Sequence, residues 1–469
     1  RDVESLRAML QGIDPSFDCD LALEPEGPLA QPLEVAGFRL ANRFVTHPME
    51  GWDATTDGLP SADTLRRWHR FGLSGAALLW GGEAFAVVPE GRANPNQLHQ
   101  GGSDAAGEGL KELMATLLAG REEAGVGDQD FLAGLQLTHS GRWSRPTPDG
   151  PSPRVAYRHP VLDVRVGVDS DDAVFTDEEV AALPQKYASA AVLAADAGFK
   201  FVDVKCCHGY LLHEFLSALS RPGPWGGDFE GRTRLFRETV AAVREAAPGL
   251  EVGVRLSVTD QFPFTAGKDG VGEPDDLEAN LPYESAFGLD SDDPFRPDFT
   301  EPFRFFTLLE ELGISLVNLT VGSPYYCPHA QRPAAFPPSD GYMPPTDPLE
   351  SVAAHIAAVR ACKKEFPGLL FVGSGYTYLQ EWLPHVAQHE VREGHVDFVG
   401  LGRMVLSYPE LPMDLMAGRP LRTKSICRTF SDCTTGPRNG MPSGCYPLDP
   451  HFRALPEAKV IRAMRPKRR

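Results

Sequence analysis

Eight short apolar segments alternate with helical patterns along the chain, and this alternation constrains the fold more than any other feature. The segments have the length of buried strands, and amphipathic periodicity lies between most of them. They occupy residues 44–47, 76–80, 131–137, 201–205, 252–256, 314–319, 369–373 and 396–400. Strands that alternate with helices form parallel sheets, and eight of them fit a closed barrel better than an open sheet. The sequence therefore predicts an α/β protein, a (β/α)8 TIM barrel.

Three segments show the clearest helical periodicity. The first covers residues 177–197 and begins with a capping box, in which Thr176 and Glu179 each satisfy a backbone N–H of the first turn. The other two cover residues 232–246 and 349–365. Together with the strands, these helices place the predicted barrel at residues 31–410.

Three regions fall outside the barrel pattern. We expect an N-terminal extension at residues 1–30, an insertion rich in Asp, Gly and Pro at about 258–300, and a C-terminal extension at residues 411–469. Loops that follow barrel strands face the active site, and the insertion directly follows the fifth predicted strand. It is therefore either a lid that shapes the substrate site or a surface loop.

The charge of the chain argues against nucleic acid as a partner. There are 64 acidic and 45 basic residues, for a formal net charge of -19 at pH 7, and nucleic acid would be repelled. No apolar run has the length of a membrane span, and no secretory signal pattern is visible. Eight scattered cysteines do not resemble a disulfide framework. We expect a soluble cytoplasmic protein that binds a small molecule; whether it forms a homo-oligomer stays open.

A polar cluster follows the fourth predicted strand. Side chains of a strand alternate between its faces, so Asp203 and Lys205 share one side. Lys205, His208 and Tyr210 then place an ammonium, an imidazole and a phenol within six residues of one another. Such a group at the carboxyl end of a barrel strand favours proton chemistry. The alternative, a solvated turn, is disfavoured by Gly209 and the WGG turn, which indicate an organised loop.

Seven motifs in chain order resemble the old yellow enzyme family of NADH:flavin oxidoreductases. They are residues 42–49 (NRFVTHPM), 136–142 (QLTHSGR), 208–212 (HGYLL), 225–227 (WGG) with Glu230 and Arg232, 253–257 (GVRLS), 373–377 (GSGYT) and 402–403 (GR). Each motif alone is weak, but their order and their positions at predicted strand ends make the set specific. The resemblance spans roughly residues 30–410 and is closest in layout to the dienoyl-CoA reductases and amine dehydrogenases. It implies a flavin bound at the carboxyl end of the barrel.

The resemblance assigns flavin-binding roles that the chemistry of the residues supports. The amide of Gln136 offers a donor and an acceptor to the pyrimidine edge of a flavin. The guanidinium of Arg255 would stabilise the reduced, anionic flavin. In the family, residues that match Pro48, Met49, Glu83 and Ala84 line the edge of the flavin, largely through backbone atoms.

A phosphate site is predicted at the last two strands. Barrels of this class bind phosphate with the loops after strands seven and eight, where backbone N–H groups and glycines allow close approach. The candidate residues are Gly373, Ser374, Gly375, Gly402 and Arg403. The chain has no G-x-G-x-x-G fingerprint, so FMN is favoured over a dinucleotide flavin.

Two residues depart from the family pattern. The family usually has His or Tyr at the position of Lys205. Lys205 either binds the substrate or only forms an ion pair with Asp203. Glu50 stands where the family commonly has Thr or Cys beside the flavin. A carboxylate cannot donate a hydrogen bond there, so Glu50 is protonated, turned away, or paired with Lys205 or with a cationic substrate.

Three C-terminal cysteines resemble part of an iron–sulfur motif. Larger relatives carry four cysteines after the barrel that bind a [4Fe–4S] cluster. Cys427, Cys433 and Cys445 match three of them, and Phe430 stands where the second cysteine would be. Such clusters are normally held by four thiolates. We therefore favour free thiols over a cluster and expect no metal.

The main hypothesis is an FMN-dependent oxidoreductase of the ene-reductase type. NAD(P)H would deliver hydride to flavin N5, and the flavin would pass it to an activated unsaturated carbonyl or carboxyl substrate. Lys205 and His208 would polarise the acceptor oxygen, while Tyr210 would protonate the neighbouring carbon.

Two alternatives stay open. The first is an FMN-dependent amine dehydrogenase or demethylase, in which Asp260 of the acidic insertion would receive an N-methyl amine. The ammonium of Lys205 argues against it, because it would repel a cationic substrate. The second is a non-catalytic flavin-binding protein, in which the changes at Lys205 and Glu50 have abolished reduction.

Overall fold

Parallel strands at eight positions close into a barrel, which confirms the (β/α)8 fold predicted from the sequence. The computed structural model describes residues 2–101 and 105–465. Its strands are β1 (Leu33–Val35), β2 (Phe38–Leu40), β3 (Phe44–Thr46), β4 (Leu78–Leu79), β5 (Ala84–Ala86), β6 (Leu132–Thr138), β7 (Phe201–Val204), β8 (Glu251–Thr259), β9 (Phe264–Ala266), β10 (Gly272–Pro274), β11 (Leu316–Val321), β12 (Leu370–Gly373) and β13 (Phe398–Leu401).

The order of pairing closes the sheet on itself. Around the barrel, β3 pairs with β4, β4 and β5 both pair with β6, and pairing continues through β7, β8, β11, β12 and β13 back to β3. All of these pairs are parallel. The segments β4 and β5 together fill the second barrel position. The antiparallel pairs β1–β2 and β9–β10 lie outside the barrel sheet.

Helices connect successive strands and cover the outside of the barrel. They are α1 (Val3–Ile13), α2 (Ala62–Leu73), α3 (Ala105–Glu123), α4 (Leu162–Val166), α5 (Asp177–Asp196), α6 (Leu211–Leu216), α7 (Phe229–Ala246), α8 (Thr300–Glu311), α9 (Pro328–Gln331), α10 (Pro348–Glu365), α11 (Leu383–Arg392), α12 (Arg403–Ser407), α13 (Leu411–Met416), α14 (Asp432–Arg438), α15 (Pro450–Ala454) and α16 (Glu457–Met464). The predicted capping box opens α5, with both reciprocal bonds between Thr176 and Glu179 present. Among residues 2–101 and 105–465, no helix combines the length and apolar character needed to cross a membrane.

The strands have two apolar faces, which is why they read as continuous apolar runs. One set packs inside the barrel and includes Val45, Leu132, Phe201 and Leu316, with Val35 of the β1–β2 hairpin closing this layer. Alternate residues pack outward against the helices in a larger core. Because the period of a strand is two, the inward face of β7 continues from Phe201 to Asp203 and then Lys205. The inward-facing residues of β7 are therefore polar at the carboxyl end of the barrel.

Each of the three regions outside the barrel pattern packs onto it. Helix α1 buries Leu6 and Leu10 in the main core. The insertion contains β9 and β10, and its Tyr283 packs with Val161 of the connection that follows β6. The C-terminal residues carry α14 to α16, and part of this segment reaches the carboxyl end of the barrel. The domain boundaries given above remain predictions.

Candidate active site

A cavity opens at the carboxyl ends of the barrel strands, with about 1230 Å³ of empty space when the solvent at its open mouth is included. Its walls come from residues within β6 and β8, from residues after β3, β7 and β12, and from residues in and after β13. Two further segments complete it, residues 324–333 after β11 and residues 433–443 of the C-terminal region. The site is therefore shared between the barrel and the C-terminal segment, whereas none of residues 258–300 lines it.

Buried guanidinium groups with unfilled hydrogen-bonding capacity line this cavity. Arg255 Nε, Arg332 Nη2 and Arg403 Nη1 are buried and have no hydrogen-bond partner in the described part of the chain. Burial, together with the charge of Arg403 and Arg438, lowers the pKa of Arg332 to about 10. Buried cations are costly unless an anion is present. The arrangement therefore fits a dianionic phosphate between Arg332 and Arg403, and a second negative group at Arg255.

Small residues near the arginines allow close approach of a ligand. Ser374, Gly375, Gly402 and Arg403 all line the cavity, whereas Gly373 lies just outside it. The Ser374 hydroxyl donates to the carbonyl of Leu319 (2.6 Å), so any contact with phosphate would use backbone N–H groups. Gly375 has φ +92°, a backbone conformation that L side chains rarely adopt.

Gln136 is held in a network that prepares its amide for a ligand. Its Nε2 donates to Asp203 Oδ2 (2.5 Å), and Asp203 also accepts from Trp80 Nε1 (2.8 Å) and from the backbone N–H of Arg255 (2.7 Å). Burial raises the pKa of Asp203 despite these donors. With its nitrogen bound, Gln136 has its carbonyl oxygen left to accept from an imide N–H. The cavity thus fits the pyrimidine edge and the phosphate of FMN, with Arg255 as the countercharge.

Lys205 pairs with Glu50 and not with Asp203. Its Nζ lies 3.2 Å from Glu50 Oε1 and 3.6 Å from the centre of the Tyr210 ring. Glu50 also accepts from Trp52 Nε1 (2.9 Å) and from the Tyr210 hydroxyl, at 3.2 and 3.3 Å. Of the states predicted for Glu50, the structure selects pairing with Lys205. The carboxylate neutralises the lysine and orients the phenol.

Burial and the charge of Glu50 raise the pKa of Tyr210 well above its usual value. The Tyr210 side chain is 2% exposed. Its phenol therefore stays protonated at neutral pH. A protonated phenol in a cavity is suited to act as a general acid.

His208 is held in a strained backbone conformation. Its φ is +66°, which is uncommon for a residue with a side chain. The strain is supported on both sides: its backbone N–H donates to Ser257 Oγ (3.0 Å), and its carbonyl accepts from Ser323 Oγ (2.7 Å). Burial and the charges of Arg255 and Lys205 lower the pKa of His208 well below its usual value. The imidazole is neutral and lies 3.0 Å from Gln331 Nε2.

Most of the predicted flavin residues line the cavity, but two do not. Pro48, Met49 and Glu50 are on its wall. Glu83 and Ala84 are not among the lining residues, and the Glu83 carboxylate instead accepts from Arg67 Nε (2.8 Å). Burial raises the pKa of Glu83 to about 7. Its predicted backbone contact with a flavin stays a prediction.

Several lining residues were not predicted from the sequence. They are His47, Trp52, Tyr325, Gln331, Arg332, Arg438 and Ser443. Arg332 follows the sixth barrel strand, as Arg403 follows the eighth. Its position after a strand could therefore have predicted it as a site residue. Arg438 and Ser443 come from the C-terminal region, for which no strand pattern exists.

The three C-terminal cysteines lie near one another as free thiols. Burial and the neighbouring thiols of Cys427 and Cys433 raise the pKa of Cys445 well above its usual value. Cys433 lines the cavity. Within residues 2–101 and 105–465, no group of three or more His, Cys, Asp or Glu side chains converges to hold a metal ion.

Comparisons with known proteins relate the chain to one family by sequence. A model of the NADH:flavin oxidoreductase / NADH oxidase family matches residues 28–273. An NADPH dehydrogenase from Geobacillus thermodenitrificans is 31% identical over 242 residues, which are 50% of this chain and 64% of that protein. Flavin oxidoreductase hxnT of Emericella nidulans is 26% identical over 434 residues, which are 88% of this chain and 96% of that protein.

The fold is also shared with larger proteins. The structure of 2-naphthoyl-CoA reductase with 2-naphthoyl-CoA matches with a TM-score of 0.66 at 18% identity, and covers 92% of this chain and 58% of that chain. At this identity the match shows the fold alone. This chain spans only part of the length of both the Geobacillus dehydrogenase and the naphthoyl-CoA reductase.

Proposed function

The chain belongs to the NADH:flavin oxidoreductase / NADH oxidase family, and we propose that it uses FMN and NAD(P)H to reduce an activated unsaturated carbonyl or carboxyl substrate. One observation carries the proposal. Two sets of side chains line a single cavity. Arg255, Arg332 and Arg403 each have a guanidinium nitrogen without a hydrogen-bond partner in the described part of the chain, and Lys205 and Tyr210 can donate hydrogen bonds or protons. The first set suits an anionic cofactor, and the second suits a substrate that gains a proton.

The residues of the chain would bind FMN through charge and hydrogen bonds. Arg332 and Arg403 would bind its phosphate, and the carbonyl oxygen of Gln136 would accept from its pyrimidine ring. Arg255 would stabilise the negative charge that the reduced ring carries. When bound, FMN supplies hydride transfer between the nicotinamide and the substrate.

Lys205, His208 and Tyr210 would activate the substrate. The ammonium of Lys205, held by Glu50, and the neutral imidazole of His208 would donate hydrogen bonds to the substrate oxygen. Polarising that oxygen makes the conjugated carbon a better hydride acceptor. The neighbouring carbon would take the hydroxyl proton of Tyr210, whose raised pKa keeps the proton available at neutral pH.

The contacts of Glu50 weigh against the amine dehydrogenase alternative. A cationic amine binds a free carboxylate or an aromatic face. Glu50 is already surrounded by Lys205, Trp52 and Tyr210, and the Lys205 ammonium lies 3.6 Å from the centre of the Tyr210 ring. Asp260, which the sequence offered as an amine-binding residue, does not line the cavity and instead accepts from the Tyr326 hydroxyl (2.8 Å). Reduction of an unsaturated substrate therefore fits the site better than oxidation of an amine.

Anaerobic stopped-flow mixing tests the proposal. The purified protein should show the absorption bands of oxidised flavin, which NADPH or NADH should bleach. Enones, unsaturated carboxylic acids and unsaturated thioesters are then mixed with the reduced protein. We expect at least one class to restore the bands; flavin that binds and is reduced but is reoxidised by none of them would contradict the proposal. Bleaching by an N-methylated amine without nicotinamide would favour the amine dehydrogenase.

Tyr210→Phe separates the two half-reactions. The variant keeps the ring but loses the proton, so the flavin should still bind and still be reduced by the nicotinamide. Reoxidation by the unsaturated substrate should slow by about 10²- to 10⁴-fold, the usual contribution of a general acid. Equal reoxidation rates in both proteins would remove Tyr210 from the chemistry.

A further inference from the structure

Tyr325 has no role in the function proposed above, yet its hydroxyl lies 2.8 Å from the hydroxyl of Tyr210. It stands in the segment that follows β11, and its ring stacks on the indole of Trp143. The ring centroids are 4.6 Å apart, and the planes are 10° from parallel. Stacking restricts the ring, so the contact between the two phenols is a fixed part of the cavity wall.

Tyr210 has few neighbours from which it can regain a proton. Apart from Tyr325, the hydroxyl contacts the two carboxylate oxygens of Glu50 and the hydroxyl of Ser140, which is fully buried. Glu50 also accepts from Lys205 Nζ (3.2 Å) and Trp52 Nε1 (2.9 Å). With these three donors around it, the Glu50 carboxylate is placed to accept hydrogen bonds. Of the two hydroxyl neighbours, Ser140 is fully buried, whereas Tyr325 is partly exposed, so Tyr325 is the donor that can be resupplied from outside.

Tyr325 also links the buried phenol to the outside of the site. Tyr210 is buried, whereas Tyr325 and Trp143 are only partly buried. Two hydroxyls within hydrogen-bond reach can pass a proton from one to the other. The pair therefore forms a short path between water and the centre of the cavity. The Glu50 carboxylate orients the path, because it accepts the Tyr210 hydrogen and leaves the Tyr210 oxygen to accept from Tyr325.

We propose that Tyr325 is a proton-relay residue that reprotonates Tyr210 after each turnover, an inference that rests on the proposed function. During reduction the hydride that originates from NAD(P)H forms one substrate C–H bond with its own electron pair. The electron pair of the broken C=C π bond takes the Tyr210 hydroxyl proton to form the second, and Tyr210 is left as a phenolate. The Tyr210 phenolate then takes the Tyr325 hydroxyl proton, and Tyr325 regains a proton from water. The relay moves protons only and needs no further oxidant or reductant. Tyr325 does not contact the reacting carbon in this scheme; it acts by returning a proton to Tyr210.

Single-turnover and steady-state rates distinguish the relay from the first proton transfer. In the first turnover Tyr210 already carries its proton, so Tyr325→Phe holoenzyme should be reoxidised by the substrate at the wild-type rate. Later turnovers need reprotonation, so kcat with excess NAD(P)H and substrate should fall by about 10²-fold. Tyr210→Phe should instead lose the first turnover as well.

Two further readouts would not respond to a purely structural role. The kcat of Tyr325→Phe should rise with the concentration of a small buffer acid at constant pH, because external acid replaces the missing hydroxyl. Its solvent isotope effect on kcat should exceed that of the wild-type protein.

Tyr342→Phe is the matched control. Tyr342 lies in the same connection after β11, its hydroxyl makes a contact of the same length with His329 Nδ1 (2.8 Å), and it does not line the cavity. This variant should match the wild-type protein in every readout. An unchanged kcat in Tyr325→Phe, or equal losses in the first turnover and in kcat, would overturn the relay. Wild-type protein that no unsaturated compound reoxidises would instead overturn the proposed function.

Discussion

The ammonium nitrogen of Lys205 lies 3.2 Å from a carboxylate oxygen of Glu50, although the two residues are 155 positions apart in the chain. The side chains are 4% and 17% exposed. These are the two residues that depart from the family pattern, and they depart together, as a pair of opposite charges. A lysine alone would leave an unpaired cation in the cavity, and a glutamate alone would leave an unpaired anion.

Removing one partner of this pair should destabilise the protein, and removing both should restore most of the loss. Lys205→Met should lower the free energy of unfolding by about 2–4 kcal/mol, because Glu50 is left without its countercharge. The double variant Lys205→Met with Glu50→Gln should recover more than half of that loss. Urea denaturation of the four proteins in this cycle provides the measurement.

The control for this cycle is an exposed pair of the same residue types. Lys111 and Glu108 are 2.8 Å apart, but their side chains are 50% and 73% exposed. Lys111→Met should change the free energy of unfolding by about 0–1 kcal/mol. If Lys205→Met is no more destabilising than Lys111→Met, the Lys205–Glu50 pair makes no special contribution.

Lys205→His should shift substrate preference away from carboxylates. A buried imidazole is neutral, so a substrate carboxylate would lose the ammonium that faces it, whereas a ketone would still find a hydrogen-bond donor. We expect kcat/KM for unsaturated acids to fall at least about tenfold relative to that for enones. The exposed Lys186 on α5 supplies the control, Lys186→His. A parallel fall for both substrate classes would indicate that Lys205 does not select between them.

Arg332 and Arg403 should each contribute to FMN affinity. A hydrogen bond to a charged group contributes about 1.5–3 kcal/mol, so Arg332→Ala or Arg403→Ala should weaken FMN binding by about 10- to 100-fold. Quenching of flavin fluorescence on titration into the flavin-free protein measures this directly. Arg453→Ala, at an exposed arginine of α15, should leave the affinity unchanged. Wild-type affinity in both cavity variants would place the phosphate elsewhere.

The fold and part of the site could be predicted from the sequence because their signals are local. Short, continuous apolar runs mark the eight barrel positions, and parity within β7 places Asp203 and Lys205 on one face. The Thr176–Glu179 capping box marks the start of α5 within four residues. Strand ends in a parallel barrel lie together, so Gln136 and Arg255 could be assigned to one site before their contacts were known.

The remaining residues could not be predicted because their contacts join distant parts of the chain. Glu50 meets Lys205 across the barrel, and nothing in the sequence near either residue specifies the other as its partner. Tyr325 reaches Tyr210 from the connection after β11, which has no periodic pattern. Arg438 reaches the cavity from the C-terminal region, where its backbone path depends on packing. Such contacts follow from tertiary structure and not from local propensity.

Asp260 should make the stability of the protein depend on pH. Its carboxyl group is buried in the insertion and accepts from the Tyr326 hydroxyl (2.8 Å) and from the backbone N–H of Gln261 (2.8 Å). Burial outweighs these donors and raises its pKa to about 7 from the usual 3.8. The folded protein therefore holds this proton more tightly than the unfolded chain. Its contribution to stability is complete below about pH 4 and is lost as the pH rises through about 7.

Asp260→Asn removes this titration while its amide oxygen can still accept from Tyr326. The variant and the wild-type protein should be similarly stable at about pH 4, and the variant should become the more stable one as the pH rises. At about pH 8 the difference in the free energy of unfolding should reach at most about 4 kcal/mol. Urea denaturation across this pH range measures the difference, with Asp292→Asn, at an exposed carboxylate of the same insertion, as the control. A constant difference between Asp260→Asn and the wild-type protein at all pH values would show that Asp260 is ionised in the folded state throughout.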